Sequence, residues 1–170
     1  EDLPIYLADE TLDMRTCLVG RVYRQRIQLL NRSRVAYKVN IDIKAPFSKY
    51  VEASPNMCFV QGKGSQFINI KYTPTDEMLQ DLGYYTVPQN GFPGSIFAEL
   101  PIQIDVTNQD MPVFFNIRSH VTSSTVALSS NRMEFGTVYV NQFSTNKLTL
   151  TNTSLLPQKI AFVRLKKEIT

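Results

Sequence analysis

Residues 29–33 read Leu-Leu-Asn-Arg-Ser, and residues 150–154, 121 positions later, read Leu-Thr-Asn-Thr-Ser. Two further segments repeat around them: residues 20–23 (Gly-Arg-Val-Tyr) return as residues 136–139 (Gly-Thr-Val-Tyr), and residues 38–41 match residues 159–162. The glycine permits a bend where a strand leaves for another sheet, and Asn-x-Ser favours a turn capped by its own side chains. The repeat predicts two copies of one structural unit along the chain.

Short segments with an apolar residue at every second position surround the repeat, as expected of half-buried strands. The predicted strands are residues 26–30, 35–43, 67–73, 102–106 and 113–117. Turns rich in Gly, Pro and Asn separate them, and only residues 75–82 favour a short helix, which Gly83 ends. This pattern is typical of an all-β sandwich of antiparallel sheets.

The length of the chain, 170 residues, sets how much of each copy is present. Because about 100 residues suffice for one seven-stranded immunoglobulin-like sandwich, we expect residues 15–123 to form a complete unit. Residues 124–170 then hold the first strands of a second sandwich, and residues 1–14 are a linker or the last strand of a preceding module. An incomplete sandwich leaves an apolar face uncovered. We expect that face to include Phe135, Leu148, Leu150, Ile160 and Phe162.

Composition excludes several classes of protein. The chain is 43% apolar and 19% charged, which is typical of a folded globular protein. A formal net charge of +3 is too small a bias to require nucleic acid as a partner. No window approaches the roughly 18–20 apolar residues that cross a bilayer. We therefore expect neither nucleic-acid binding nor membrane insertion.

The sequence offers no catalytic or metal-binding set. His120 is the only histidine, and it falls on the opposite strand face from Ile117, Ser119 and Val121, so we expect it at the surface. Cys17 and Cys58 complete a set of three scattered ligands, whereas a structural zinc site uses about four. Residues 61–65 resemble a phosphate-binding loop but lack its first glycine, and we interpret Lys63 as the corner of a β-turn. We expect free thiols, no cofactor, no metal and no small-molecule substrate.

Positive charge is concentrated near the start of the chain. Residues 15–50 contain nine Lys or Arg and one acidic residue, whereas residues 51–123 contain three basic and seven acidic residues. Arg24, Arg26 and Gln28 would share one face of a strand because they are two residues apart. Such a cluster is either a solvated outer sheet face or a docking surface for an acidic partner, whose attraction would weaken with salt. The candidate partner-binding residues are Arg24, Arg26, Arg32, Arg34 and Lys38.

The ordered motifs resemble the ASH family, a branch of the PapD-like and major-sperm-protein-like (MSP-like) immunoglobulin-type sandwiches. The segments that carry the resemblance are residues 20–22, 30–33, 67–74, 112–115, 121–122 and the second start at 133–138. The family consists of tandem, non-catalytic scaffold modules of ciliary, flagellar or centrosomal proteins. The second start is most similar to large cilia- and flagella-associated proteins of the central apparatus. The resemblance implies a cytoskeletal location in the axoneme and binding to other axonemal proteins, including tubulin tails.

Two other functions remain open from the sequence. An MSP-like adaptor would use the same basic strands to bind short acidic peptides. A centrosomal scaffold would present the same sandwich faces at another location.

Overall fold

A computed structural model of the chain describes residues 2–89, 95–123 and 125–163. Its strands are β1 (Ile5–Leu7), β2 (Thr11–Leu18), β3 (Tyr23–Asn31), β4 (Tyr37–Asn40), β5 (Val51–Ser54), β6 (Met57–Val60), β7 (Ser65–Tyr72), β8 (Thr86–Pro88), β9 (Ser95–Val106), β10 (Val113–Thr122), β11 (Val126–Leu128) and β12 (Leu150–Asn152). One α-helix, α1, spans Asp76–Asp81, and short 3-10 helices span Phe47–Lys49 and Gly83–Tyr85.

Strands β1 to β10 form two sheets. One sheet has the order β1-β3-β7-β5, and the other has the order β2-β10-β9-β4-β6, with β8 beside β9. All pairs are antiparallel except β2, which runs parallel to β10. The predicted all-β, immunoglobulin-like sandwich is confirmed.

The core lies between the two sheets because alternate residues of each strand point inward. On β7 the inward side chains are Ile68, Ile70 and Tyr72, each fully buried. The hydroxyl of Tyr72 lies 2.9 Å from that of Ser119 on β10 of the other sheet. This hydrogen bond satisfies two polar groups in an otherwise apolar core, as buried polar groups require.

Most predicted elements are present, and one is shorter than predicted. The helix forms with Thr75 as its cap, since the Thr75 hydroxyl accepts a hydrogen bond from the Met78 amide at 3.0 Å. The strand predicted over residues 35–43 is confined to β4, and Val35 is 61% exposed. The carbonyl of Val35 accepts hydrogen bonds from the side chains of Asn31 and Ser33, which hold it in a turn and outside the sheet.

Residues 5–14, predicted as a linker or part of a preceding module, belong to the first sandwich instead. Strand β1 pairs with β3, and β2 pairs with β10. The prediction failed because β1 has only three residues, too few for a period-two pattern to show. Strand β2 has a β-bulge, with one residue more than β10 between two successive pairs. At this bulge Arg15 has a φ of +59°, and its backbone amide donates to the Asp13 carboxylate at 2.8 Å.

The second copy repeats the first strand pair. Ile5 pairs with Asn31 in β1 and β3, and Val126 pairs with Asn152 in β11 and β12, so both residues are displaced by 121 positions. The repeated glycines, Gly20 and Gly136, both have a positive φ, +83 and +65, which explains the choice of glycine at each.

The second copy also leaves apolar side chains uncovered. Phe135, Ile160 and Phe162 are exposed, with 86% exposure at Phe162, as predicted. Leu148 and Leu150 are half-buried. Among the described residues, no helix has the length and apolar character that a membrane span would need.

Candidate interaction surface

The asparagine turn is built the same way in both copies. In the first, the Asn31 side-chain oxygen accepts hydrogen bonds from the Ser33 amide and hydroxyl at 2.9 and 2.8 Å. In the second, the Asn152 oxygen accepts the same two bonds from Ser154 at 3.0 and 2.7 Å. The amide nitrogens of Asn31 and Asn152 donate to the carbonyls of Val35 and Leu156 at 2.8 and 2.9 Å. The predicted side-chain-capped turn is therefore confirmed at both positions.

The loop at residues 61–64 packs against the first of these turns. Gly64 donates to the Gln61 carbonyl at 2.9 Å, which closes the predicted β-turn with Lys63 at its corner. Lys63 donates from its backbone to Ser33 at 2.8 Å and from its ammonium group to the Arg32 carbonyl. Gly62 is required by contact, since a Cβ there would lie 2.2 Å from the Arg34 carbonyl oxygen. Lys63 thus supports the turn.

Arg24 and Arg26 lie together on the outer face of the four-stranded sheet, which we call the basic face. They alternate with the buried Ile27 and Leu29 of β3, so their side chains point to solvent. Lys71 of β7 lies directly opposite Arg24 in the register of the sheet. The Arg26 guanidinium stacks over the ring of Phe67 at 4.2 Å. The basic face therefore consists of Arg24, Arg26 and Lys71 around an exposed aromatic ring.

The charges on this face are only partly compensated. Lys71 forms a 3.3 Å ion pair with Glu52 of β5, its neighbour across the sheet. In the described ranges, neither Arg24 nor Arg26 has a carboxylate oxygen within 4.0 Å. Like charges directly opposite each other destabilise a sheet, so an anion bound between Arg24 and Lys71 would relieve repulsion. Lys71 was not among the predicted residues, because only the pairing of β3 with β7 brings it beside Arg24.

Arg32 and Arg34 lie at the asparagine turn beyond the end of β3. The Arg32 guanidinium forms a 3.3 Å ion pair with Asp2 and stacks over Tyr6 at 3.9 Å. Arg34 is exposed. Two of the five predicted residues thus lie beyond the end of β3, six and eight residues along the chain from Arg26.

Lys38 lies on the other sheet. It belongs to β4, where it pairs in register with Phe59 of β6. Since β4 and β3 belong to different sheets, Lys38 and the basic face lie on opposite layers of the sandwich. The structure therefore brings Arg24 and Arg26 together and places Arg32, Arg34 and Lys38 elsewhere.

The titratable groups outside the basic face are buried, hydrogen-bonded or packed against other side chains of the fold. Burial raises the pKa of the Cys17 thiol to about 12, and Cys17 and Cys58 are both free.

Hydrogen bonds from Tyr50 at 2.7 Å and Lys49 at 3.0 Å lower the pKa of Asp81. These bonds attach α1 to the 3-10 helix Phe47–Lys49. His120 is half-buried and its ring packs at a tilt of 50° against that of Phe97, with the ring centroids 5.2 Å apart. Within the described part of the chain, no group of three or more metal-binding side chains assembles.

Two family models match the chain in succession. The model of the CFAP74 third Ig-like domain matches residues 5–122, and that of the CFAP74 fourth Ig-like domain matches residues 128–170. The first match begins at β1, in agreement with the strand pairing.

Curated relatives match nearly the whole chain. Cilia- and flagella-associated protein 74 of Homo sapiens is 27% identical over 166 residues, which are 98% of this chain and 10% of that protein. The protein of the same name in Chlamydomonas reinhardtii is 27% identical over 164 residues, 96% of this chain and 8% of that protein. The chain thus spans about a tenth of the length of these relatives.

Solved structures with a similar fold include a PapD-like domain of human CEP192, with a TM-score of 0.42 and 12% identity, covering 71% of this chain and 84% of that chain. Another is the MSP family member WR4 of C. elegans, with a TM-score of 0.41 and 11% identity, covering 70% and 98%. Likenesses at TM-scores below 0.5 carry no conclusion about this chain. The model match over most of the chain, in contrast, shows the family: the chain belongs to the family of the CFAP74 third Ig-like domain, and residues 128–170 match the model of the fourth.

Proposed function

We propose that this segment is a non-catalytic structural module of a ciliary or flagellar axonemal scaffold, in the central apparatus, that supports ciliary motility. The observation that carries the proposal is the repeat of one strand pair and one turn at a spacing of 121 residues, in a chain of the CFAP74 Ig-like family. Rigid sandwiches in tandem present a succession of faces to neighbouring subunits. We propose the division into a first sandwich to residue 123 and a second from residue 124 on the same basis.

The location can be tested in ciliated cells that express the full-length protein. Deletion of residues 5–163 should reduce the amount of protein that remains in detergent-extracted axonemes and impair ciliary beating. The control is replacement of the same region by an unrelated immunoglobulin-like tandem of equal length, which preserves the spacing. Full retention and normal beating of the deleted protein would contradict the scaffold role.

We also propose that the basic face binds an acidic partner of the axoneme, with tubulin tails as the leading candidate. Arg24 and Arg26 are exposed cations without a carboxylate partner in the described ranges, and Lys71 extends the row. The interaction of exposed charges is screened beyond a Debye length of about 8 Å at physiological salt. Binding should therefore be strong at low salt and weak at high salt.

A charge reversal with a matched control tests this docking. Arg24→Glu should weaken binding of a glutamate-rich tubulin-tail peptide, measured by fluorescence anisotropy, and the loss should be larger at low salt than at high salt. Lys147→Glu changes the net charge equally at an exposed residue of the second copy and should leave binding unchanged. Equal effects of the two variants, or an effect independent of salt, would remove the basic face as a docking surface.

The adaptor function is the second candidate, and the aromatic ring beneath Arg26 favours it. Phe67 is 43% exposed and offers an apolar contact next to the cations, as a discrete peptide receptor would. Under this function, Phe67→Ala weakens peptide binding as much as Arg24→Glu, and titration saturates at one peptide per chain. A multivalent scaffold contact shows weak binding without such saturation.

A further inference from the structure

The asparagine turn of the second copy rests on the end of the first sandwich. The backbone N–H of Leu155 donates to the Thr122 hydroxyl at 3.0 Å. Thr122 is the last residue of β10 and is fully buried. Its hydroxyl also lies 3.0 Å from that of Ser95, which fixes its position. The hydrogen bond therefore joins the first sandwich to the asparagine turn of the second copy through a buried acceptor.

The asparagine turn of the first copy has the same internal bonds and packs against the loop at residues 61–64, but no described hydroxyl contacts it as Thr122 contacts the second turn. Arg34 corresponds to Leu155 at the spacing of 121, and its backbone N–H has no acceptor among the described residues. Ser154 is 5% exposed, whereas its counterpart Ser33 is half-buried. The other members of the turn show the same shift: Arg32, Arg34 and Val35 are exposed, and Thr153, Leu155 and Leu156 are half-buried.

The residue just before β1 and the residue just before β11 bond to their asparagine turns in the same way. The N–H of Arg32 donates to the Pro4 carbonyl at 3.0 Å, and the N–H of Thr153 donates to the Thr125 carbonyl at 3.4 Å, again 121 positions apart. β10 ends at Thr122, four residues before β11 begins at Val126, and the position 121 residues before Thr122 is residue 1. By the same register, the residues just before β1 stand where the last strand of another unit would end.

We propose that residues 32–35 form the seat for the last strand of an Ig-like unit that precedes β1 in the full-length polypeptide. The inference rests on the tandem arrangement proposed above. It is supported by the unpaired Arg34 N–H in the described chain, by the exposure of this one turn, and by the match to a third Ig-like domain, whose name implies a second. The seat is recognised by its backbone, because Leu155 makes the equivalent contact with its N–H.

Under this proposal, the predicted cationic residues belong to two separate surfaces. Arg32 and Arg34 belong to the seat, where Asp2 and Tyr6 already hold the Arg32 side chain. Arg24 and Arg26 lie further along β3 and stay open to a separate partner. The two surfaces can therefore be disrupted independently.

Hydrogen–deuterium exchange of the full-length protein and of the 170-residue chain tests the seat. In the chain alone, the Arg34 amide should exchange rapidly and the Leu155 amide slowly. In the full-length protein, exchange of the Arg34 amide should slow by about five-fold or more, because one net hydrogen bond of about 1 kcal/mol is added together with shielding from water. The Arg21 amide, at the Thr122 end of the sandwich, should exchange equally in both.

Two substitutions separate backbone recognition from charge. Arg34→Ala keeps the N–H, so the protection should persist in the full-length protein, whereas protection by an acidic partner at the Arg34 side chain would be lost. Thr122→Val removes the acceptor and should speed the Leu155 amide by about five-fold. Rapid exchange of the Arg34 amide in the full-length protein, with the Leu155 amide protected, would contradict the proposal that residues 32–35 contact a preceding unit. That result would leave the axonemal scaffold untouched, since retention in axonemes is measured separately.

Discussion

Replacement of Asn31 by Ala should destabilise the first sandwich far more than replacement of Asn152. Asn31 is 4% exposed, and its amide nitrogen donates to two carbonyls, those of Val35 at 2.8 Å and Val60 at 3.0 Å. Val60 is fully buried, so water cannot replace the lost donor. A buried acceptor left unsatisfied costs about 1–3 kcal/mol, and loss of the bonds to Ser33 adds about 1 kcal/mol. We expect about 2–4 kcal/mol for Asn31→Ala.

Asn152 provides the matched control because it makes the same turn without the buried acceptor. Asn152 is itself exposed and water can replace its amide bond to Leu156, so the loss is confined to its two bonds to Ser154, the counterparts of the bonds from Asn31 to Ser33. Asn152→Ala should therefore cost about 1 kcal/mol. Urea unfolding followed by tyrosine fluorescence is suitable, since the chain has eight Tyr and no Trp. Equal midpoint shifts for the two variants at unchanged m-value would refute the reasoning.

Two further outcomes follow from the titratable groups. Because Cys17 is buried and its pKa is about 12, it should stay unreactive at pH 8 in the native chain. Alkylation of the native chain should then be confined to the half-buried Cys58 and abolished by Cys58→Ser. Fast modification of both thiols would contradict this. Because the pKa of Asp81 is lowered in the folded state, its stabilising bonds are present above the unfolded pKa of about 3.9 and are lost as the pH falls through the folded value. Asp81→Asn should therefore lower the melting temperature at pH 7 but not at pH 2, and a deficit that persists at pH 2 would exclude this linkage.

Local patterns were sufficient for β3, β4, β7, β9 and β10, whereas β1, β2, β5, β6 and β8 were not predicted. Alternation of apolar residues predicted the inward faces of β3, β7, β9 and β10, because side chains of one strand point to opposite faces with a period of two. The same rule placed His120 opposite the buried Ile117. Strand β1 was missed because three residues carry too little pattern.

The candidate site was less accessible from the sequence. Arg24 and Arg26 were found because they are two residues apart on one strand, whereas Lys71 is 47 residues from Arg24 and joins it through cross-strand register. Lys38 was grouped with them by proximity in sequence and lies on the other sheet. Sheet register is a non-local property that spacing along one strand does not contain.

The sequence by itself determined the all-β class, the two copies and the turn that marks each, because these depend on local alternation and on side chains bonding to nearby backbone. Tertiary structure alone decided which partners each copy meets. Asn31 reaches Val60 across 29 residues and is buried, while Asn152, with an identical turn, is exposed. Likewise, only folding places Thr122 beneath Leu155 and leaves Arg34 open. Equal local sequences give equal turns, but the surface on which a turn rests is supplied by distant strands.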